Sequence, residues 1–395
     1  MRKYVTLLSA LFIHNCLGGF YAWSVFVPPL KANYGITAAQ AGSIFGMMIA
    51  NFALAMVAAG KLQSRLNSKI IVMMGAILFG SGYYIASLSA GSYLILVLGI
   101  SITVGWGLGL AYVAPLSNAV KSFPKERAGL ITGLIAAAFA LGAILFSKTA
   151  TYFYNQGLDV LQVFCIIGIG CMSIMFLSSL VQKSPKLQEG QKPVSSTIPT
   201  AQLMGDVRFW ALAIAMFAGT FPGLMVVGNL KPLALAQSMP ESMATMAIMF
   251  FAVGNSIGRI LWGMAYDKWG GVTIPISLIW LGAAVLLIGQ MNVPYMFLPM
   301  AFLLGNGHSA AFVLPAADIA SGYGTSKVSC VYPMVLLFFG VSGVSGSPFA
   351  GWCYSFGGSY LPATLVAGVI AFSGSFAVKR FYAMAQNRAP AAEIA

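Results

Sequence analysis

Residues 250–271 read FFAVGNSIGRILWGMAYDKWGG. An apolar run long enough to cross a bilayer carries one arginine, Arg259, and closes on a charged turn at Asp267 and Lys268. A cation at that depth is expensive unless it faces a partner or a water-filled cavity, which makes Arg259 the first candidate site residue. The surrounding chain has the same character. Of 395 residues, 59% are hydrophobic and 7% charged. Soluble domains carry about 25% charged residues, so the solvent here is lipid. Several runs exceed the roughly 20 residues needed to cross a hydrocarbon core. Lipid obliges the backbone to satisfy its own hydrogen bonds, and long runs without alternation select helices over a barrel.

Twelve such runs follow, at 5–30, 38–60, 70–88, 93–120, 128–146, 160–181, 209–228, 241–265, 272–290, 294–317, 328–350 and 360–379. The expectation is an all-α membrane protein of two six-helix halves, 1–181 and 207–395. A linker, 182–206, joins them and is rich in Lys, Pro, Ser and Thr. Met1–Lys3 is basic, but the apolar run after it is too long for a cleaved signal peptide and reads as the first span.

The cations orient the chain. With the N-terminus inside, 17 of the 21 Lys and Arg fall on the cytoplasmic side, three (Lys31, Lys148, Lys231) on the other, and Arg259 within a span. This bias places both termini and the linker in the cytoplasm of a cell inner membrane. It also accounts for the net charge of +13 through orientation and anionic headgroups, so no nucleic-acid partner is invoked.

Chemistry-bearing residues are few. The five cysteines (Cys16, Cys165, Cys171, Cys330, Cys353) sit in or beside apolar runs without metal-ligand spacing and read as small apolar side chains. No acid–base or nucleophile constellation supports an enzyme, and no metal or cofactor is expected. The glycine clusters at 105–110 and 340–346 lie inside spans and lack the Lys-Ser/Thr of a phosphate loop, so they read as close helix packing. Asp267 follows Arg259 by eight residues, which puts the guanidinium about 12 Å from the helix end, near the midplane. Its planar fork matches one carboxylate. Asn255, one turn earlier, shares its face and either orients it or bonds a neighbouring helix. His14 and His308 both fall in spans and are candidates for a titrating proton carrier or for interhelical bonding; His14 is seven residues from Tyr21, on the same helical face. Asp318, at the inner end of the tenth span, is a further proton candidate. Tyr21, Tyr112 and Tyr332 each offer a hydroxyl and an apolar ring.

The halves echo one another. GKLQSRLNSK (60–69) follows the second span and GMAYDKWGG (263–271) the eighth. Paired turns, two six-span groups and a basic linker resemble the major facilitator superfamily over nearly the whole chain. Ser64 stands where that pattern has an Asp in the first turn; Asp267 and Lys268 keep the second, a gating turn in the family. Three motifs narrow the likeness: GGFYAWSVFVPPL (18–30), LSNAVKSFPKERAGLITG (116–133), and Gly258-Arg259 ahead of Asp267. Together they resemble the oxalate/formate antiporters and the related monocarboxylate transporters.

That resemblance implies a small organic anion bound between the halves by Arg259 and aromatic side chains. Tyr21 and Tyr112 match binding tyrosines of the first and fourth spans. His308 and Phe312 fall where oxalate-type members carry a Trp and a Tyr. Phe339 stands where the oxalate carrier has a lysine, which removes the second cation a dicarboxylate wants. The expected activity is secondary transport of a lactate-, pyruvate- or formate-sized monocarboxylate, by a monomer, with proton symport as the coupling. Anion exchange and a transport-deficient sensor are the alternatives.

Overall fold

The structure is a computed structural model that describes residues 2–63, 65–124, 127–182, 200–291, 293–324 and 327–388. Ser64 and most of the 182–206 segment lie outside them. The described residues form sixteen α-helices. The first span is α1 (Arg2–Gly18), a 3-10 stretch (Gly19–Val25) and α2 (Val27–Tyr34). The second and third are α3 (Ala38–Leu62) and α4 (Ser68–Ser87). The fourth is α5 (Tyr93–Leu96), a π-helical stretch (Val97–Val104) and α6 (Gly105–Lys121). Then come α7 (Ala128–Asn155), α8 (Val160–Leu180), the short α9 (Thr200–Met204), α10 (Val207–Val227) and α11 (Leu230–Ala236). The chain ends with α12 (Glu241–Trp269), α13 (Thr273–Gly289), α14 (Pro294–Gly322), α15 (Val328–Gly357) and α16 (Leu361–Arg388).

Among the described residues, eleven continuous helical runs are long and apolar enough to cross a membrane. One of them, Glu241–Gly289, contains both α12 and α13, folded back through the 3-10 turn Gly270–Val272, so the runs make twelve spans. Helix starts follow capping chemistry. Thr37 and Gln40 form a reciprocal box at α3, Asp159 and Gln162 another at α8, and Asn67 and Asp206 cap α4 and α10. The fifth, eleventh and twelfth spans run beyond the apolar runs read from the sequence, ending at Asn155, Gly357 and Arg388.

Helix pairing repeats. In the first six spans α1 packs on α7, α3 on α6 and α4 on α8. In the last six the equivalent pairs recur: α10 on α15, α12 on α14 and α13 on α16. The two sets meet through α3 with α15 and α7 with α12, partners that the same correspondence exchanges. Two six-helix halves related by a pseudo-two-fold axis follow from this pattern, the arrangement of parallel transporter repeats. The α3–α15 seam is closed by small residues: a Cβ on Gly42 would meet Ser347, one on Gly46 would meet Gly343, and one on Gly351 would meet Ala38. These contacts run from the end of the bundle carrying α2 and α11 as far as Phe52 and Phe339, whose rings lie 6.0 Å apart.

Candidate functional site

Arg259 sits about two-thirds of the way along α12, half-buried, facing the space between the halves. Its position is set by tight packing of α12 on α14. Gly254 abuts the Phe302 carbonyl, Gly258 abuts Ser309 and Asn306, and Gly305 abuts the Phe251 carbonyl. No side chain fits at these three points, which sets the rotation of α12. The expected i−4 partner is in place: Arg259 Nε donates to Asn255 Oδ1 at 3.3 Å. The guanidinium carbon lies 5.5 Å from the centre of the Phe312 ring. The phenols of Tyr112, Tyr21 and Tyr332 are its electrostatic neighbours. Among the described residues no carboxylate pairs with it; the two ion pairs present are Arg208–Asp318 and Lys231–Glu241.

Around this cation eight aromatic side chains close a ring drawn from both halves. His14 lies 5.1 Å from Tyr112, Tyr112 5.6 Å from Phe52, Phe52 6.0 Å from Phe339, and Phe339 5.2 Å from Phe312. The circuit continues from Phe312 to His308 at 5.3 Å, His308 to Tyr21 at 6.4 Å, Tyr21 to Phe139 at 5.8 Å, and Phe139 to His14 at 6.4 Å. The structure thus brings together Arg259, Asn255, Tyr21, Tyr112, His14, His308, Phe312 and Phe339. Phe52 and Phe139 were not singled out in the sequence. Nothing in their apolar neighbourhoods marks them, and only packing selects them.

Both histidines have a defined tautomer. His14 Nδ1 lies 2.9 Å from the Ala10 carbonyl and His308 Nδ1 lies 3.3 Å from the Gly219 carbonyl. A carbonyl oxygen only accepts, so each Nδ1 carries the hydrogen and each neutral ring keeps a bare lone pair on Nε2. Both Nε2 atoms, and Asn255 Nδ2, are buried without a partner. Buried polar atoms are ordinarily satisfied, so three orphans beside one unpaired arginine describe a site with open valences for a polar guest. Gly223 backs His308 so closely that a Cβ there would strike its imidazole.

The structure places the remaining candidates as follows. Tyr21 lies in the 3-10 stretch that follows α1, and it packs on Phe139, as His14 does, and on Phe251, 5.9 Å away in the other half. The hydroxyl of Tyr332 is already engaged, donating to the Phe312 carbonyl at 3.0 Å. Asp318 lies outside the ring. It is buried, bound by Arg208 Nε at 3.0 Å and by the Tyr266 hydroxyl at 2.9 Å, and so is committed to joining α10, α12 and α14. Asp267 and Lys268 are exposed in the last turn of α12, away from the site, with Lys268 over the Trp269 ring.

Comparison with known proteins agrees with this architecture. Residues 8–271 match the Major Facilitator Superfamily. Over 352 residues the chain is 28% identical to an uncharacterised MFS-type transporter, YhjX, of Escherichia coli strain K12, covering 87% of this chain and 86% of the relative. It is 23% identical to the oxalate:formate antiporter of Oxalobacter formigenes (89% and 83% covered) and 24% identical to human monocarboxylate transporter 11 (88% and 76%). A solved bacterial homologue of the human lysosomal transporter Spinster, in an inward-facing, unoccupied conformation, superposes with a TM-score of 0.76 at 17% identity, covering 97% of this chain and 98% of that one. With two pseudo-symmetric six-helix halves and a family match over most of its length, the chain belongs to the Major Facilitator Superfamily of multi-pass membrane transporters.

Proposed function

We propose that the protein carries a small monocarboxylate across the membrane by rocking its halves about the Arg259 ring, with the linker end facing the cytoplasm. The observation that carries this reading is the unanswered guanidinium. A half-buried arginine without a carboxylate is stabilised by whatever anion enters, and its fork holds one carboxylate in a bidentate pair. Asn255 Nδ2 supplies a further donor, and the phenols of Tyr21 and Tyr112 line the approach. Phe52, Phe312 and Phe339 offer no second positive charge, so one carboxylate is matched and a second is left unpaired. The oxalate:formate antiporter and the monocarboxylate transporter among the relatives are named for substrates of this class.

Proton symport suits the two bare Nε2 atoms, either of which accepts a proton that travels with the anion. A second reading, exchange, is favoured by the same unpaired charge. An empty carrier returning through an occluded state buries Arg259 uncompensated, at a cost of about 3 kcal/mol on insertion scales, whereas a loaded return does not. Proteoliposomes separate the two. Under symport, a pH gradient alone accumulates labelled lactate or formate; under exchange, only preloaded internal substrate does. Transport unaffected in both Arg259→Ala and Arg259→Lys would remove the binding role altogether.

A further inference from the structure

Toward the end carrying α2 and α11, α7 bears a column of hydroxyls that the Arg259 ring does not use. Ser147, Thr151 and Tyr154 stand at i, i+4 and i+7, on one face of the helix. Their oxygens are buried and have no hydrogen-bond partner among the described residues. Serines elsewhere in the spans satisfy themselves on the preceding turn: Ser173 donates to the Ile169 carbonyl, Ser345 to that of Val341 and Ser355 to that of Gly351. A fourth hydroxyl without a partner, that of Ser24, is wholly buried in the 3-10 stretch. Residues three apart eclipse in a 3-10 helix, so Ser24 lies one turn beyond Tyr21, on the side that meets Phe251 of α12.

The direction of the column follows from the other faces of α7. A Cβ on Gly18 would meet the Phe139 carbonyl, and one on Gly19 the Phe146 ring, so that face packs on α1 and the 3-10 stretch. Leu141, Leu145 and Tyr152 are exposed on the lipid side. The main remaining neighbour is α12, across the seam between the halves. The face of α12 that carries Arg259 and Asn255 continues toward the same end as Ala252, Ile248 and Ala244, all buried and none with a polar side chain. Hydroxyls of the first half thus confront an apolar wall of the second. From Phe139 in the ring to Tyr154 the rise along α7 is roughly 22 Å.

We propose that Ser24, Ser147, Thr151 and Tyr154 are the polar wall of the access path at this end. When the halves rock apart here, the four hydroxyls take up water, donate hydrogen bonds to an entering carboxylate and pass it toward Tyr21 and Arg259. Buried polar groups are ordinarily satisfied, and these are satisfied in the open arrangement. Left dry, they weaken the closed seam and so favour its opening. The proposal rests on the rocking of the halves, whichever anion is carried.

The test is cysteine reactivity toward a membrane-impermeant maleimide, in full-length protein in phosphatidylcholine nanodiscs, above the background set by the five native cysteines. Gly46→Leu serves as a wedge, because a side chain there meets the Gly343 carbonyl across the α3–α15 seam. Ser147→Cys and Thr151→Cys are expected to react at least ~10-fold faster with the wedge than without it, a modest shift of the opening equilibrium. Ala150→Cys, buried on the face toward the 3-10 stretch, is expected to stay unreactive. Ala316→Cys, half-exposed and one turn beyond Phe312 toward the other end, reports the rocking itself and is expected to slow. Slowing there with Ser147→Cys and Thr151→Cys still unreactive overturns the proposal and leaves rocking standing; no change at any site overturns both. Without the wedge, Ser147→Ala/Thr151→Val is expected to unfold at the same or a higher temperature while uptake in proteoliposomes falls severalfold. Unchanged uptake in that variant would equally overturn the proposal.

Discussion

Two arginines in the second half make a natural contrast. Arg208 begins α10 and is met at once: Asp318 takes its Nε and Nη2, the Asp318 backbone carbonyl takes a further bond, and Tyr266 and Ser321 complete the cluster. Arg259 has an amide, an aromatic face and phenols, but among the described residues no countercharge. The first arrangement is finished within the protein and fastens three helices. The second has no carboxylate among the described residues, which is the ground on which a transient anion is proposed for it.

The sharpest way to break the contrast is to exchange the fates of the two. Arg259→Ala is expected to reduce monocarboxylate uptake by at least ~100-fold, about 3 kcal/mol of lost charge-assisted bonding, with the melting temperature unchanged or raised because a desolvated cation is gone. Arg208→Ala is expected to do the reverse. It strands the buried Asp318 carboxylate and destabilises the fold by about 3 kcal/mol, which thermal unfolding in detergent measures. A variant pair behaving the other way round would mean that Arg259 is the structural residue.

Next in size is Phe339→Lys, which places a second cation beside Phe312 and Phe52. A shift of preference from formate toward oxalate, by tenfold or more in competition uptake, is the expected outcome. No shift would show that Phe339 does not face the substrate. Gly223→Ala sharpens the role of His308 without touching its chemistry. The added methyl displaces the imidazole, so affinity is expected to fall severalfold while the fold stands, as substrate competition and thermal unfolding would report.

The smallest effect concerns Asp159, outside the spans. Partial burial pushes its carboxyl up, but hydrogen bonds from Tyr34, the Leu161 amide and Asn33 outweigh this and hold it below the usual carboxylate range. A depressed folded value contributes stability above the unfolded value of about 3.9 and loses it as pH falls through the folded one. Because Asp159 is only half-buried and its bonds are screened by nearby solvent, Asp159→Asn is expected to flatten the acid limb of the unfolding curve only slightly.

How much of this was legible in the chain can be seen from particular residues. Arg259, its distance from Asp267 and its Asn255 partner followed from hydropathy and helix pitch, since these depend on neighbours within a turn or two. The twelve spans and their repeat were legible for the same reason: transfer into lipid is decided residue by residue along a helix. The 3-10 stretch that carries Tyr21 was not, because such a stretch inside an apolar run leaves no hydropathic mark. Asp318 read as a proton site until Arg208, 110 residues away in the chain, was seen to claim it.

By itself, then, the sequence determined a membrane-embedded helical carrier with one deep cation and no second one in its eleventh span. The tertiary structure decided which side chains that cation meets. It closed Phe52 and Phe139 into the ring, gave each histidine its tautomer through a backbone carbonyl, and paired one arginine while leaving the other open. The physical reason is range. Solvation by lipid is a local property of each segment, whereas pairing, packing and tautomer depend on helices distant in the chain being brought into contact.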